Sequence, residues 1–162
     1  MKALTVLPGL LSIAILQPAP GQDGSFQVGA HSGVNSDGTL MLGGQVGLRL
    51  TSFAAATVTG SILPTVDGAT LTNWDASVRL MPWNSNLRPY FLGGVALDYS
   101  RQSGLPSRKE WGATAGAGLE AGRGLLRGFA EARIVRIGTV LSEIRGYTAG
   151  RFWAGLRLHF RR

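Results

Sequence analysis

Charged side chains in this sequence recur at even spacings inside strand-length, otherwise apolar or small-residue segments. Asp75 and Arg79 are four positions apart, and Glu131 and Arg133 are two apart. In an extended chain, even spacing places side chains on one face. Away from water these groups must form charge-paired hydrogen bonds, because an unpaired buried charge costs several kcal/mol. The sequence therefore predicts an interior polar network, with a constricted ion path as its alternative function. Its candidate members are Arg49, Asp75, Arg79, Asp98, Glu120, Glu131, Arg133, Arg151 and Arg157.

The two histidines do not indicate catalysis. His31 is followed directly by Ser32, but neighbouring residues of a strand point to opposite faces, so this base cannot reach this nucleophile. His159 lies near the end of the last segment, on the same face as Arg157, and we do not assign it a catalytic role. The chain has no cysteine, which excludes thiolate metal sites and redox cysteine chemistry. We predict no catalytic residue, no cofactor and no metal site.

The elements that position these side chains are predicted from period-two alternation. In the last segment, Phe152, Leu156 and Phe160 alternate with Arg151 and Arg157. Similar segments, separated by turn-forming residues, predict eight strands at 25–33, 42–52, 55–63, 70–80, 89–100, 110–121, 127–137 and 147–160. The break at 52–53 is the weakest, because no typical turn residue marks it. Short consecutive links favour an all-β, eight-stranded antiparallel up-and-down barrel, which has no exposed edges.

Composition indicates that the polar face lies inside the barrel and the apolar face meets lipid. Charged residues are only 15 % of the chain, whereas a water-facing surface carries about 25 to 35 %. The polar row is also rich in small residues, which suit the narrow lumen of an eight-stranded barrel, and the apolar row is too bulky for it. We therefore predict a transmembrane β-barrel; the alternative is a secreted soluble barrel that binds an apolar ligand. A membrane girdle of aromatic residues is expected from Phe26, Trp74, Phe91, Tyr99, Trp111 and Phe160.

The N-terminal residues have the layout of a secretory signal peptide. Lys2 precedes an apolar run at 4–16, which is followed by Pro18, Ala19, Pro20 and Gly21. The run is shorter than the roughly 20 residues of a membrane-spanning helix. We predict a signal peptide at 1–22 and an outer-membrane β-barrel domain at 23–162. A buried N-terminal helix is the alternative interpretation.

Several segments resemble the small outer-membrane β-barrel proteins of Gram-negative bacteria, of the OmpA/OmpX type. They are residues 88–96 (RPYFLGGVA), 116–120 (GAGLE), 129–133 (FAEAR) and the last strand, which ends on an aromatic residue. The resemblance implies location in the cell outer membrane and a final strand that the barrel assembly machinery recognises through Gly155, Leu158 and Phe160. Arg161 and Arg162 depart from that pattern because they follow the terminal aromatic residue.

The resemblance also indicates which partners to expect. We predict a non-enzymatic, monomeric protein with a structural or surface-interaction role, surrounded by outer-membrane lipid and binding no nucleic acid. Basic residues such as Arg101, Arg108 and Lys109 make the phosphates of lipopolysaccharide a further candidate partner. Lipid A-modifying enzymes share barrels of this size, so an enzyme of that class remains an alternative.

Overall fold

The computed structural model describes residues 25–64, 70–83, 85–101, 107–138 and 147–160. The predicted signal peptide therefore lies outside the described residues. Eight strands follow one another in the chain: β1 (Phe26–Asn35), β2 (Leu40–Arg49), β3 (Ala54–Pro64), β4 (Thr70–Leu80), β5 (Leu87–Arg101), β6 (Arg108–Arg123), β7 (Leu126–Ile137) and β8 (Tyr147–Phe160).

The strands close into a barrel in which each pairs with its neighbours in the sequence and β1 pairs with β8. All eight pairings are antiparallel, and Phe26 of β1 lies opposite both Leu48 of β2 and Phe160 of β8. Closure gives every strand a ladder partner on both sides, so no edge is exposed. The predicted all-β, eight-stranded up-and-down barrel is confirmed. Within the described ranges, no helix has the length and hydropathy needed to cross a bilayer.

The turn between β2 and β3 corrects one predicted boundary. The prediction extended β2 to residue 52, but the strand ends at Arg49. The hydroxyl of Thr51 accepts hydrogen bonds from the backbone N–H groups of Phe53 at 3.3 Å and Ala54 at 3.0 Å. A threonine side chain thus closes a turn that has neither glycine nor proline. A turn therefore does separate β2 from β3, as predicted, and β2 ends three residues earlier than predicted.

The turn between β1 and β2 is tighter than predicted, and both strands extend into it. Gly38 adopts a positive φ of 85°, which favours glycine. The backbone N–H of Thr39 donates to Asp37 Oδ1 at 2.9 Å, and this hydrogen bond lowers the pKa of the Asp37 carboxyl below its ordinary value. An Asx-type turn of this kind needs only four residues between the strands.

The two faces of the strands separate as the alternation predicts. Val95 and Leu156, on the apolar row, are exposed by 51 % and 56 % on the outside of the barrel, whereas Glu131 is 4 % exposed inside it. The interior is not purely polar, however. Apolar side chains fill it between the charged groups in three clusters: Met41, Leu63, Phe129 and Trp153; Ala55, Met81, Tyr90 and Leu92; and Ala96, Val135 and Ile137.

Adjacent glycines on β5 provide a test of which face is crowded. A Cβ at Gly94, on the inner face, would lie 2.0 Å from the carbonyl oxygen of Ala76, whereas a Cβ at Gly93 would have its nearest neighbour at 4.0 Å. We expect Gly94→Ala to lower the free energy of unfolding by about 1–3 kcal/mol or more, since backbone atoms cannot move aside.

Gly93→Ala is the matched control and should change that free energy by less than about 0.5 kcal/mol. Urea unfolding of both variants in detergent micelles measures the difference. Equal effects at the two positions would mean that the register or sidedness of β5 is wrong.

Candidate functional site in the barrel interior

Glu131, on β7, is the centre of the interior hydrogen-bond network. Its carboxylate accepts from the Tyr90 hydroxyl at 2.7 Å and from Trp153 Nε1 at 2.9 Å. It also pairs with the guanidinium groups of Arg133 and, at 3.4 Å, Arg157. These partners come from β5, β7 and β8, so this one carboxylate connects strands that are not all neighbours in the sheet.

A second group of carboxylates lies toward the end of the barrel opposite Phe26 and Phe160, where the first strand begins and the last strand ends. Asp98 accepts from Asn73 Nδ2 at 2.5 Å, from the Tyr147 hydroxyl and from Arg151 Nη2 at 2.9 and 3.0 Å. Asp75 lies 3.6 Å from Arg133 and 3.9 Å from Arg151. Asp75 therefore bridges the Asp98 group to the guanidinium that Glu131 holds.

A third group surrounds Glu120 near the end of the barrel that holds Phe26 and Phe160, called here the terminal end. Arg157 Nη1 lies 3.0 Å from the Glu120 carboxylate, with Arg127 at 3.5 Å, His159 at 3.5 Å and Arg79 at 4.0 Å. Arg157 therefore contacts both Glu120 and Glu131 and joins the third group to the first.

Neutral side chains complete the network by accepting hydrogen bonds from the arginines. Arg79 donates to Gln27 Oε1 at 2.6 Å and to Thr57 Oγ1 at 2.8 Å. The Arg157 guanidinium carbon lies 3.7 Å from the centroid of the Phe129 ring, which is cation–π contact. Guanidinium groups thus find both hydrogen-bond acceptors and aromatic faces in the interior, where they are buried.

The structure brings eight of the nine predicted network residues together, and Arg49 is not among them. Arg49 is half-buried at the terminal end, where it donates to the carbonyl oxygens of Thr51 at 3.1 Å and Ser52 at 2.5 Å. The reason is that β2 ends at this residue, so its side chain caps the following turn. Arg127 and Trp153 are partners that the prediction omitted, although both share the parity of Glu131 and Arg157 on their strands.

The histidine predicted to be non-catalytic does contact a serine, but not the one beside it. His31 Nε2 lies 2.9 Å from the hydroxyl of Ser61 inside the barrel, while Ser32 faces outside. The imidazole also stacks on Trp153, with ring centroids 5.2 Å apart. Within the described residues, Nδ1 has no hydrogen-bond partner where a hydrolase would have an orienting carboxylate. The geometry is that of a buried side chain packed in the interior, held by one hydrogen bond and by stacking on Trp153.

Within the described ranges, no group of three or more His, Asp or Glu side chains is arranged so that it could hold a metal ion.

The six girdle candidates all lie on the outside of the barrel. Phe26 and Phe160 pack together near the terminal end, with ring centroids 6.4 Å apart. Trp74 and Trp111 are exposed toward the opposite end.

The network generates a prediction about Glu131. Replacement by glutamine removes the buried negative charge that Arg133 and Arg157 share, which leaves Asp75 as the remaining carboxylate beside Arg133 and Glu120 as the one beside Arg157. We expect the free energy of unfolding to fall by about 3–5 kcal/mol. The control is Glu110→Gln. The Glu110 carboxylate lies 2.5 Å from Nε of Arg108, and the Arg108 side chain is half exposed. An exposed pair contributes less than about 1 kcal/mol. Equilibrium unfolding in detergent compares the two; a Glu131→Gln barrel as stable as the control would remove the network from its central role.

Comparison with known proteins supports the fold rather than a close relationship. No family model matches the sequence, and no curated protein matches it. Among solved structures, the N-terminal β-barrel domain of Pseudomonas aeruginosa OprF is similar, with 20 % identity and a TM-score of 0.63 over 86 % of this chain and 98 % of that one. Neisserial surface protein A has 17 % identity and a TM-score of 0.59 over 85 % and 96 %.

The outer membrane protein OprG from Pseudomonas aeruginosa is a third similar structure, with 12 % identity and a TM-score of 0.59 over 87 % of this chain and 98 % of that one. At identities this low, the structural similarity establishes a shared fold and nothing more. The chain therefore has the fold of the small outer-membrane β-barrels that its sequence resembles.

Proposed function

We propose that this protein is an integral β-barrel of the bacterial outer membrane with a structural or surface-interaction role and a lumen filled by side chains. The observation that carries the proposal is the apolar exterior. Large side chains such as Val95, Ile134 and Leu156 are exposed around the barrel, while the charged groups are buried inside it. A soluble monomer rarely exposes so large an apolar surface, and hydrocarbon chains of lipid would cover it.

The aromatic residues support the same placement. Phe91 and Tyr99 are eight positions apart on the outer face of β5. At about 3.3 Å per residue and a tilt of roughly 40°, they are separated by about 20 Å of height. That separation approaches the apolar band of roughly 25 Å between the aromatic girdles of outer-membrane barrels. The terminal end would then face the periplasm, and the final strand, ending at Phe160, would serve the assembly machinery.

The filled lumen favours a structural role over conduction or catalysis. Arginine side chains cross the interior and stack on the rings of Phe129 and Trp153. The buried histidine–serine pair described above lacks an orienting carboxylate within the described residues. The proposal therefore assigns the protein no enzymatic activity and no open channel.

An arginine introduced on the outer face tests the membrane environment. Val95 lies near the middle of β5, where Val95→Arg should destabilise the barrel in a bilayer by about 2–4 kcal/mol. The control is Leu40→Arg, at the first position of β2, where the cost should be about 0–1 kcal/mol.

The measurement is membrane fractionation followed by gel electrophoresis with and without heating. The unmodified protein and Leu40→Arg should partition with outer membranes and migrate differently when unheated, and Val95→Arg should lose most of that folded band. The soluble ligand-binding barrel would be favoured if the protein were recovered from the periplasm or medium and if both variants were as stable as the unmodified protein.

Lipopolysaccharide is the partner that we propose for the end opposite the termini. Arg108, Lys109 and Arg136 lie exposed there, and the Lys109 ammonium sits 5.9 Å from the Tyr99 ring centroid. Ammonium and guanidinium groups at this level of the membrane would meet the lipid A phosphates.

Removing these charges should weaken lipopolysaccharide binding. Each basic residue near a charged membrane surface contributes about 1 kcal/mol, so Lys109→Gln combined with Arg136→Gln should lower affinity roughly 30-fold at low salt. Arg123→Gln, which removes one charge at the other end of the barrel, is the control for position and should have little effect. Binding of purified lipopolysaccharide to the detergent-solubilised barrel provides the readout. Equal losses in all variants would point to non-specific charge attraction.

A further inference from the structure

The charges around Glu120 do not balance. This single carboxylate lies within 4.0 Å of basic groups from Arg79, Arg127, Arg157 and His159. Three guanidinium groups therefore share one negative charge, and His159 adds a further positive charge when it is protonated. All four basic side chains are buried or nearly so. Uncompensated charge in such surroundings costs several kcal/mol per group.

Several donors of this cluster also lack a hydrogen-bond partner within the described residues. They are Nη1 of Arg79, Nε of Arg127, Nε of Arg157 and Nε2 of His159. Buried polar groups are nearly always satisfied in folded proteins, and those that are not indicate a bound ion or water. Arg133 and Arg151 also have unused nitrogens, but these guanidinium groups lie beside the carboxylate of Asp75. Around Glu120, in contrast, the unused donors coincide with an excess of positive charge.

The excess belongs to the terminal half of the interior and not to the whole lumen. In the other half, the buried carboxylates of Asp75, Asp98 and Glu131 face the guanidinium groups of Arg133 and Arg151. Glu131 also reaches Arg157 at 3.4 Å, but it already accepts from three other side chains. No described carboxylate is left over to neutralise Arg79 and Arg127.

We propose that the terminal end of the barrel interior binds an inorganic oxyanion of the phosphate class between Arg79, Arg127, Arg157 and His159. Guanidinium groups match the oxygens of phosphate in paired hydrogen bonds, which chloride cannot form. His159 and Arg127 are the most exposed of the four, so the anion enters from the terminal end and stops at Arg157. A phospholipid head group carries the same chemistry and is the alternative source of the phosphate.

The test is a titration of the full-length protein, purified in an uncharged sugar detergent, with inorganic phosphate at constant ionic strength. Phosphorus-31 NMR and calorimetry should show saturable binding of one phosphate per barrel. Arg127→Gln should weaken the affinity at least fivefold. Arg123→Gln removes the same charge from an exposed side chain at the same end of the barrel and should leave the affinity unchanged.

A third variant keeps the proposal testable if Arg127→Gln does not fold. Glu120→Gln removes the competing carboxylate and should tighten phosphate binding about tenfold. The proposal is overturned by absence of saturable binding to the unmodified protein, by equal weakening in the two arginine variants, or by unchanged or weaker binding in Glu120→Gln. Repeating the titration in bilayers with and without phosphatidylglycerol separates the sources, because a head group in the site would compete with free phosphate.

Discussion

The interior of this barrel depends on pairing between buried carboxylates and arginines that come from different strands. The backbone ladder holds each strand only to its two neighbours, whereas the side-chain network connects strands across the lumen. Arg79 of β4 reaches Gln27 of β1, and Glu131 of β7 holds Tyr90 of β5. Each charge is tolerable inside the protein only while its partner is present. The network therefore makes the closed cylinder one cooperative unit instead of a chain of hairpins.

The same pairing explains why small residues share the inner face with very large ones. The lumen of eight strands holds little more than one layer of side chains, so an arginine or tyrosine needs a glycine opposite or beside it. A Cβ at Gly118 would lie 2.4 Å from the Tyr90 ring, whereas one at Gly116 would lie 2.3 Å from the carbonyl oxygen of Ala132 and 3.0 Å from Arg133 Cγ. Glycine at position 118 is thus required by the large side chain across the ladder, and at position 116 by the close approach of the neighbouring backbone as well. Neither glycine has a positive φ.

The strands and their faces were predictable because a period of two is a local property of the sequence. The pattern identified Asp75, Glu131 and Arg157 as interior residues from their own strands alone. The partners were not predictable, because they depend on the stagger between strands that closure imposes. Arg49 shows the limit most clearly. Its parity is that of the network, but the Thr51 turn ends β2 at that residue and directs its guanidinium to backbone carbonyl oxygens. Apolar residues such as Met41 and Leu63 on the inner face also escaped prediction, since they interrupt an otherwise polar row.

A filled lumen and an anion site at one end are compatible because the interior is not uniform along its axis. Toward the end opposite the termini, carboxylates outnumber arginines, and Arg133 is stacked on Trp153 with 4.6 Å between the guanidinium carbon and the ring centroid. An anion that reached Arg157 would meet the carboxylate of Glu131 next, and repulsion would oppose any further movement. The charge distribution that favours binding at the terminal end therefore also blocks passage beyond it, so the proposed site requires no channel.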